Sequence, residues 1–276
     1  MDRSGTPAGG LRDGAGSHPS ALVLDRRRFL AAGAWLGAAA LLPGCDVLPG
    51  PTDAARLTAR PDELLAGTTA APGTRPLGLT GTRDVLLHVP PGLATDRAAP
   101  LVVTLHGAGG DAEAGLALLR GQADERGLLL LAPASRGSTW DAVGGRFGPD
   151  VVLVDRALAT VFAAVRVDPE RIAISGFSDG ASYALGLGLA NGTLFRRVVA
   201  FSPGFVPDAP ADGRPAVFVA HGDADEVLPI DRTSRRIVPR LREDGYEVTY
   251  QEFAGPHTVP PDVARTAVDW LDWAAG

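Results

Sequence analysis

Hydrophobic residues in this chain fall into two kinds of pattern that alternate along its length. Short runs that are apolar at nearly every position occupy residues 100–105, 127–132, 171–178, 197–201 and 216–220, with further strand-like segments at 84–89 and 247–253. Between them, residues 112–126, 151–165, 179–190, 232–244 and 262–274 carry apolar side chains at helical spacing. A strand without a polar face must be buried on both sides, so continuous apolar strands separated by helices predict an α/β fold. Its central sheet is mostly parallel, with helices on both faces. No stretch between these strands is long enough for a substantial cap domain, and no internal repeat is present.

The two ends of the pattern differ from its middle. Residues 1–24 are rich in Gly, Ser and Pro without periodicity and read as disordered. Residues 46–72 are dominated by Pro, Thr, Ala and Gly, which suits a flexible linker. The folded domain is therefore expected over 73–276.

The junction at 172–181 carries the clearest chemistry. Ile172-Ala173-Ile174-Ser175 is a strand, Gly176-Phe177-Ser178-Asp179-Gly180 a sharp turn, and Ala181-Ser182-Tyr183-Ala184-Leu185 the start of a helix. A serine between two glycines at a strand-to-helix turn is a nucleophile elbow. The glycines let neighbouring elements pack against the turn, and the helix start presents free N–H groups and a positive dipole end.

A serine hydroxyl needs a base at neutral pH. Of five histidines, His18 lies in the leader and His88 sits mid-strand, while His106 and His221 precede glycines at strand ends, where they order turns. His257, in Gly255-Pro256-His257-Thr258, lies between the last strand and the last helix. That is the carboxyl edge of the sheet, where open α/β folds keep their sites. An acid must then hold the imidazole, and the 223–226 segment offers Asp223, Asp225 and Glu226. Asp225 is the expected partner because the His-Gly-x-x-Asp spacing leaves room for a tight turn; Asp223 suits a turn cap and Glu226 faces solvent. An oxyanion would be met by the amides of Asp179 and Ala108, the latter in the glycine-rich turn after the 100–105 strand.

These motifs together, Leu105-His106-Gly107-Ala108-Gly109-Gly110-Asp111 with the serine turn, the 221–225 segment and Gly255-Pro256-His257, resemble the α/β-hydrolase superfamily. Within it the chain is most similar to the phospholipase/carboxylesterase group. The resemblance covers about residue 76 to the end. It implies a serine hydrolase acting on carboxylic esters, with Ser178 as nucleophile, Asp225 as acid, His257 as base, and the Ala108 and Asp179 amides as oxyanion hole. It leaves open a polyester depolymerase, a feruloyl esterase, a peptidase or a non-catalytic binding protein on the same scaffold. Two features depart from the group: Asp179 stands where glutamine is often found, and the Ser138-Thr139-Trp140-Asp141 loop is not general to it. Trp140 and Phe147 form either an apolar wall over the serine or a packed domain edge. His106, Gly107, Phe177 and Ser202 complete the expected pocket, which reads as shallow and open.

Composition narrows the alternatives. All 26 basic residues are arginine, so Schiff-base chemistry, a Ser-Lys dyad and a phosphate-loop lysine are excluded. A formal charge of −6 argues against nucleic acid as partner. No cofactor is called for, and no metal-site spacing is evident; the expected partner is a small or lipid-like ester, handled by a monomer or dimer. Cys45 is the single cysteine, so no internal disulfide forms. It closes a layout of Arg26-Arg27-Arg28, an apolar run over 29–42 and Leu42-Pro43-Gly44-Cys45. The run is shorter than the ~20 residues a membrane span needs. It resembles a twin-arginine signal followed by a lipobox. Residues 1–45 are thus expected to be a signal peptide with Cys45 acylated as the first mature residue. The exported protein would touch the membrane through that anchor alone.

Overall fold

The structure is a computed structural model that describes residues 54–61, 71–93 and 97–273. The expected signal segment, residues 1–45, and Cys45 with it lie outside the described residues.

Strands β1 (Gly73–Pro76), β2 (Leu86–Val89), β3 (Ala99–Leu105), β4 (Leu129–Ala132), β5 (Val167–Phe177), β6 (Arg197–Phe201), β7 (Ala216–Gly222) and β8 (Val248–Phe253) form one sheet. Its order is β1-β2-β4-β3-β5-β6-β7-β8. Only the β1–β2 and β2–β4 pairings are antiparallel; β4 to β8 pair in parallel through β3. Every one of those parallel strands therefore ends at the same edge.

Strand register explains the two layers. Val103, Ile174, Val198 and Val217 lie side by side on one face. They meet Val154, Leu158, Ala184, Leu187, Ile237 and Leu241 from helices α3 (Pro149–Ala164), α4 (Asp179–Ala190) and α5 (Ser234–Glu243). Neighbouring positions Val102, Ala173, Val199 and Phe218 face the opposite way. There they pack on α1 (Ala112–Ala117), α2 (Arg120–Arg126) and α6 (Pro261–Trp270). Side chains alternate along a strand, so apolar residues at every position feed both cores.

Several elements differ from the expectation. The single helix over 112–126 is broken at Leu118-Leu119 into α1 and α2. The helix expected from 232 begins as a 3₁₀ turn, Ile230–Arg232, before α5 starts. β1 carries no apolar pattern and forms through pairing with β2 at the sheet edge. The connection from β6 to β7, residues 202–215, contains no helix. Pro203, Pro207, Pro210 and Pro215 recur through it too often for a helical ladder to form.

The linker expected over 46–72 is corrected at 54–61, which is seated on the domain. Ala55, Leu57 and Ala59 are buried in the core while Arg56, Thr58 and Arg60 between them are exposed. Polar side chains engage the backbone at the centre of this strap. Asn191 accepts from the Leu57 amide at 2.9 Å and donates to the Ala55 carbonyl at 2.7 Å. Asp155 accepts from the Thr58 amide at 2.7 Å, the Thr58 hydroxyl at 2.6 Å and the Ala59 amide at 2.8 Å. An alternating apolar segment with its amides paired costs less to hold in place than to release.

Asn191→Ala would leave the Leu57 amide and the Ala55 carbonyl without their partner. Unfilled buried groups cost roughly 1–3 kcal/mol each. The variant should lower the urea midpoint and expose residues 54–61 to proteolysis before the rest of the domain; an unchanged cleavage pattern would show that the strap does not depend on this side chain.

Candidate active site

The site is built at the carboxyl edge of the sheet by the exits of β3, β5, β7 and β8. Ser178 follows β5 with φ +58° and ψ −120°, a combination sparsely populated by residues with a side chain. Such a backbone costs about 1–3 kcal/mol and persists only where its surroundings leave no alternative. The surroundings here are two backbone contacts. A Cβ on Gly176 would sit 2.2 Å from the Gly180 carbonyl oxygen, and one on Gly180 would sit 2.4 Å from the carbonyl oxygens of both Leu105 and His106. Strand β5, helix α4 and the exit of β3 are therefore in backbone-to-backbone contact at these two glycines. The Ser178 amide donates to the Phe201 carbonyl at 2.9 Å, tying the turn to β6 as well.

Ser178 Oγ lies 2.9 Å from His257 Nε2, and His257 Nδ1 lies 2.6 Å from Asp225 Oδ2. The three side chains expected to act together are thus in one hydrogen-bonded line. Asp225 Oδ1 accepts from the amides of Val227 at 2.9 Å and Leu228 at 2.7 Å. Burial pushes the Asp225 carboxyl up, but the Leu228 amide, the His257 hydrogen bond and the neighbouring imidazoles outweigh it and hold the carboxyl below its ordinary value. The histidine loop is fixed by the acid loop. Gly222 carries no Cβ because one would lie 2.4 Å from the Gly255 carbonyl oxygen. The Asp223 amide donates to the Phe253 carbonyl at 2.9 Å, and its carboxylate accepts from the Gly255 amide at 3.1 Å. Asp223, expected as a turn cap, braces the neighbouring loop, and Glu226 is exposed as expected.

His221 takes a larger part than the ordering of a turn. Its Nε2 is 2.9 Å from the Leu228 carbonyl and 3.1 Å from Asp225 Oδ2, both acceptors, so this nitrogen carries the proton. Its Nδ1 then accepts from the Ser234 hydroxyl at 2.6 Å. Burial pushes the His221 pKa down, in keeping with a neutral ring that donates to Asp225 Oδ2, the same oxygen that faces His257. His221 precedes Asp225 by one helical turn's worth of sequence, a spacing that hints at contact, but only the curl of the loop brings the ring back onto the acid.

The glycine-rich turn after β3 lies against the serine: a Cβ on Gly107 would be 3.3 Å from Ser178 Cβ. The Gly109 amide donates to the Ser138 carbonyl and the Gly110 amide to the Gly107 carbonyl. Among the described residues, the amides of Ala108 and Asp179 donate to nothing. Arg83, which sequence reasoning missed, braces this turn by donating to the Gly110 carbonyl at 2.7 Å and the Ser135 carbonyl at 2.8 Å.

The remaining expected pocket residues divide. Phe177 is half-buried and stacks against the His257 ring with centroids 4.6 Å apart. Trp140, His106 and Ser202, expected along the pocket, are all fully buried. Trp140 packs between His106 and Tyr183, at 4.9 and 5.0 Å between centroids, and donates to the His106 carbonyl at 2.8 Å. His106 accepts from the Ser135 amide at Nε2 and donates from Nδ1 to the Gly107 carbonyl, so it holds the turn. Ser202 sits at φ +51° beside the serine turn, its amide bound to the Ala220 carbonyl at 2.8 Å. Phe147 is buried against Tyr183 rather than set over the serine.

The two departures noted in the sequence meet each other. Thr139 donates to the Asp179 carboxylate at 2.6 Å, so the loop after β4 grips the residue following the serine. The loop itself is closed by Asp150, which accepts from the Arg136 amide at 2.6 Å and the Asp141 amide at 2.8 Å. Asp141 in return accepts from the Asp150 amide at 2.8 Å and from the Tyr183 hydroxyl at 3.1 Å. Nothing in the local sequence marks this reciprocal pair.

A profile of the phospholipase/carboxylesterase family matches residues 152–272. A protein of Nocardia uniformis subsp. tsuyamanensis, provisionally named as an esterase, NocK, is 35% identical over 170 residues, covering 55% of this chain and 48% of that protein. The chain thus matches about half the length of that curated relative. Among solved structures, esterase PE8 is 26% identical with a TM-score of 0.55, over 67% of this chain and 98% of that one. A phospholipase/carboxylesterase from Dyadobacter fermentans is 23% identical with a TM-score of 0.53, over 68% and 95% of the two chains. The fold is that of the α/β hydrolases, as the sequence resemblance implies.

The state of Asp225 makes stability pH-dependent. Its folded pKa lies below its unfolded value of 3.8. Its contribution is therefore present above that value and is lost as pH falls through it toward the folded pKa. Between pH 6 and pH 3, Asp225→Asn should lose less unfolding free energy than wild type in urea titrations; parallel losses would show that the carboxylate is not held in its ionised form.

Proposed function

We propose that this chain is a serine hydrolase that cleaves carboxylic esters through an acyl-enzyme. The observation that carries the reading is the continuous line from Ser178 Oγ through His257 to Asp225, at 2.9 and 2.6 Å. The similarity to esterases supports it independently.

In this reading Ser178 Oγ attacks the ester carbonyl carbon while His257 Nε2 takes its proton. Asp225 steadies the imidazolium and keeps Nδ1 protonated. Negative charge forms on the carbonyl oxygen, where the unengaged amides of Ala108 and Asp179 are the donors that meet it. Collapse of the tetrahedral species breaks the bond to the alcohol oxygen, which leaves with the proton from His257. Water then attacks the acyl carbon with His257 as base, and breaking the bond to Ser178 Oγ releases the carboxylic acid. The backbone strain at Ser178 contributes by holding Oγ in position before substrate arrives.

The chain is also exported and tethered by a lipid on Cys45. The order of Arg26-Arg27-Arg28, the apolar run and Leu42-Pro43-Gly44-Cys45 supports this.

Wild type should hydrolyse p-nitrophenyl acetate and butyrate, and Ser178→Ala should lose roughly 10³-fold or more of that rate. Covalent labelling by a fluorophosphonate should vanish in the same variant. Equal turnover by variant and wild type would end the proposal. Cys45→Ser should move the protein from the membrane to the soluble fraction of a bacterial cell producing it. Wild type found wholly in the soluble fraction would remove the anchor from this account.

A further inference from the structure

The helix-free crossover from β6 to β7 leaves a cavity where a covering helix would lie. It has a volume of about 460 Å³ and runs between α4, α5 and residues 204–211. Ligand sites fall in the range of about 300–1,000 Å³. Leu189, Val206, Ala209, Ile237, Leu241 and Tyr246 give it an apolar lining.

The α5 side of the cavity is different. Arg232, from the 3₁₀ turn before α5, and Arg236 and Arg240, one turn apart on α5, all line the cavity. Among the described residues none of the three has a carboxylate partner. Arg236 makes one hydrogen bond, from Nε to the Asp231 carbonyl at 3.0 Å, which leaves the outer nitrogens of its guanidinium free. Arg235, one residue away and outside the cavity, is by contrast paired with both Asp231 and Glu252. Two carboxylates, Asp208 and Asp244, also line the cavity. Three arginines against two carboxylates leave one excess positive charge.

The cavity is tied to the serine turn. Gly204, which lines it, donates its amide to Ser182 Oγ at 2.9 Å, and that hydroxyl donates to the Ser178 carbonyl at 3.3 Å. Gly204 is thereby held one helical turn of α4 from Ser178. Phe205, 41% exposed, and Val227, 67% exposed, stand on the loops after β6 and β7 near this edge.

We propose that this cavity is a subsite for a single carboxylate borne at the end of a short apolar chain. The preferred substrates are then monoesters of dicarboxylic acids, bound with the scissile carbonyl at Ser178 and the free acid toward Arg232, Arg236 and Arg240. The inference rests on the esterase reading above and adds the class of ester to it. One excess charge selects a monoanion over a polyanion, and the apolar lining selects a methylene chain over a sugar.

The test compares mono-p-nitrophenyl adipate, which carries a free carboxylate, with uncharged p-nitrophenyl butyrate. Wild type should show a higher kcat/KM for the adipate, by an amount that falls as salt is raised. In Arg236→Gln/Arg240→Gln the ratio of adipate to butyrate kcat/KM should fall about tenfold, mostly through KM. Arg235→Gln, outside the cavity, should keep the wild-type ratio. A wild-type preference for butyrate, or a ratio the double variant leaves unmoved while butyrate is still cleaved, overturns the subsite and leaves the esterase reading standing. Failure of wild type to cleave either ester overturns both.

Discussion

The edge of the sheet works because three backbones touch there with no side chain between them. Gly176 meets Gly180, and Gly180 meets the carbonyls of Leu105 and His106, at distances a Cβ would violate by more than half an ångström. That contact makes β5 turn into α4 within one residue and forces Ser178 into its positive-φ conformation. It also sets the glycine-rich turn after β3 beside the serine, with Gly107 against Ser178 Cβ. Atomic packing of this kind leaves little room for relaxation. The strain at one residue is offset by the many contacts around it.

A second layer of polar bonds keeps the converging loops from drifting. The Val227 and Leu228 amides hold Asp225 Oδ1, and His221 joins His257 at Oδ2. Asp223 crosses to the histidine loop, while Asp150 and Asp141 close the loop that brings Thr139 to Asp179. None of these residues reaches the serine hydroxyl. Each instead restrains Asp225, the loop that carries His257, or the residue after Ser178, and so limits how far the line of side chains can drift.

Much of this was legible in the chain because its signals are local. A strand-turn-helix pattern with glycines either side of Ser178 specifies the elbow, and His257 between the last strand and last helix has only one edge of the sheet to occupy. The supporting residues were not legible because their roles are tertiary. Asp150 lies nine positions from its partner Asp141, and His106 looks alike whether it orders a turn or lines a pocket. Trp140 was ambiguous for the same reason: an indole in a loop is a wall or a wedge depending on whether its N–H finds a buried carbonyl, here that of His106. The strap at 54–61 does carry a signal, the alternation of Ala55, Leu57 and Ala59 with polar residues. Low sequence complexity masked it, and Asn191 and Asp155, which fix it, lie far along the chain.

The proline-rich crossover shows how an absent element can shape a protein. Parallel strands are ordinarily joined by a helix that covers the sheet. Between β6 and β7 the prolines forbid one, so the chain runs over the surface as a loop instead. Its backbone is steadied by the Asp212 amide on the Leu189 carbonyl and by Ser182 under Gly204 and Phe205. The space a helix would fill stays open between α4 and α5, beside the serine turn and lined along α5 by arginines that elsewhere in this protein find carboxylates. A cavity left by chain chemistry on one side and given charge by an amphipathic helix on the other needs no separate cap domain to become selective.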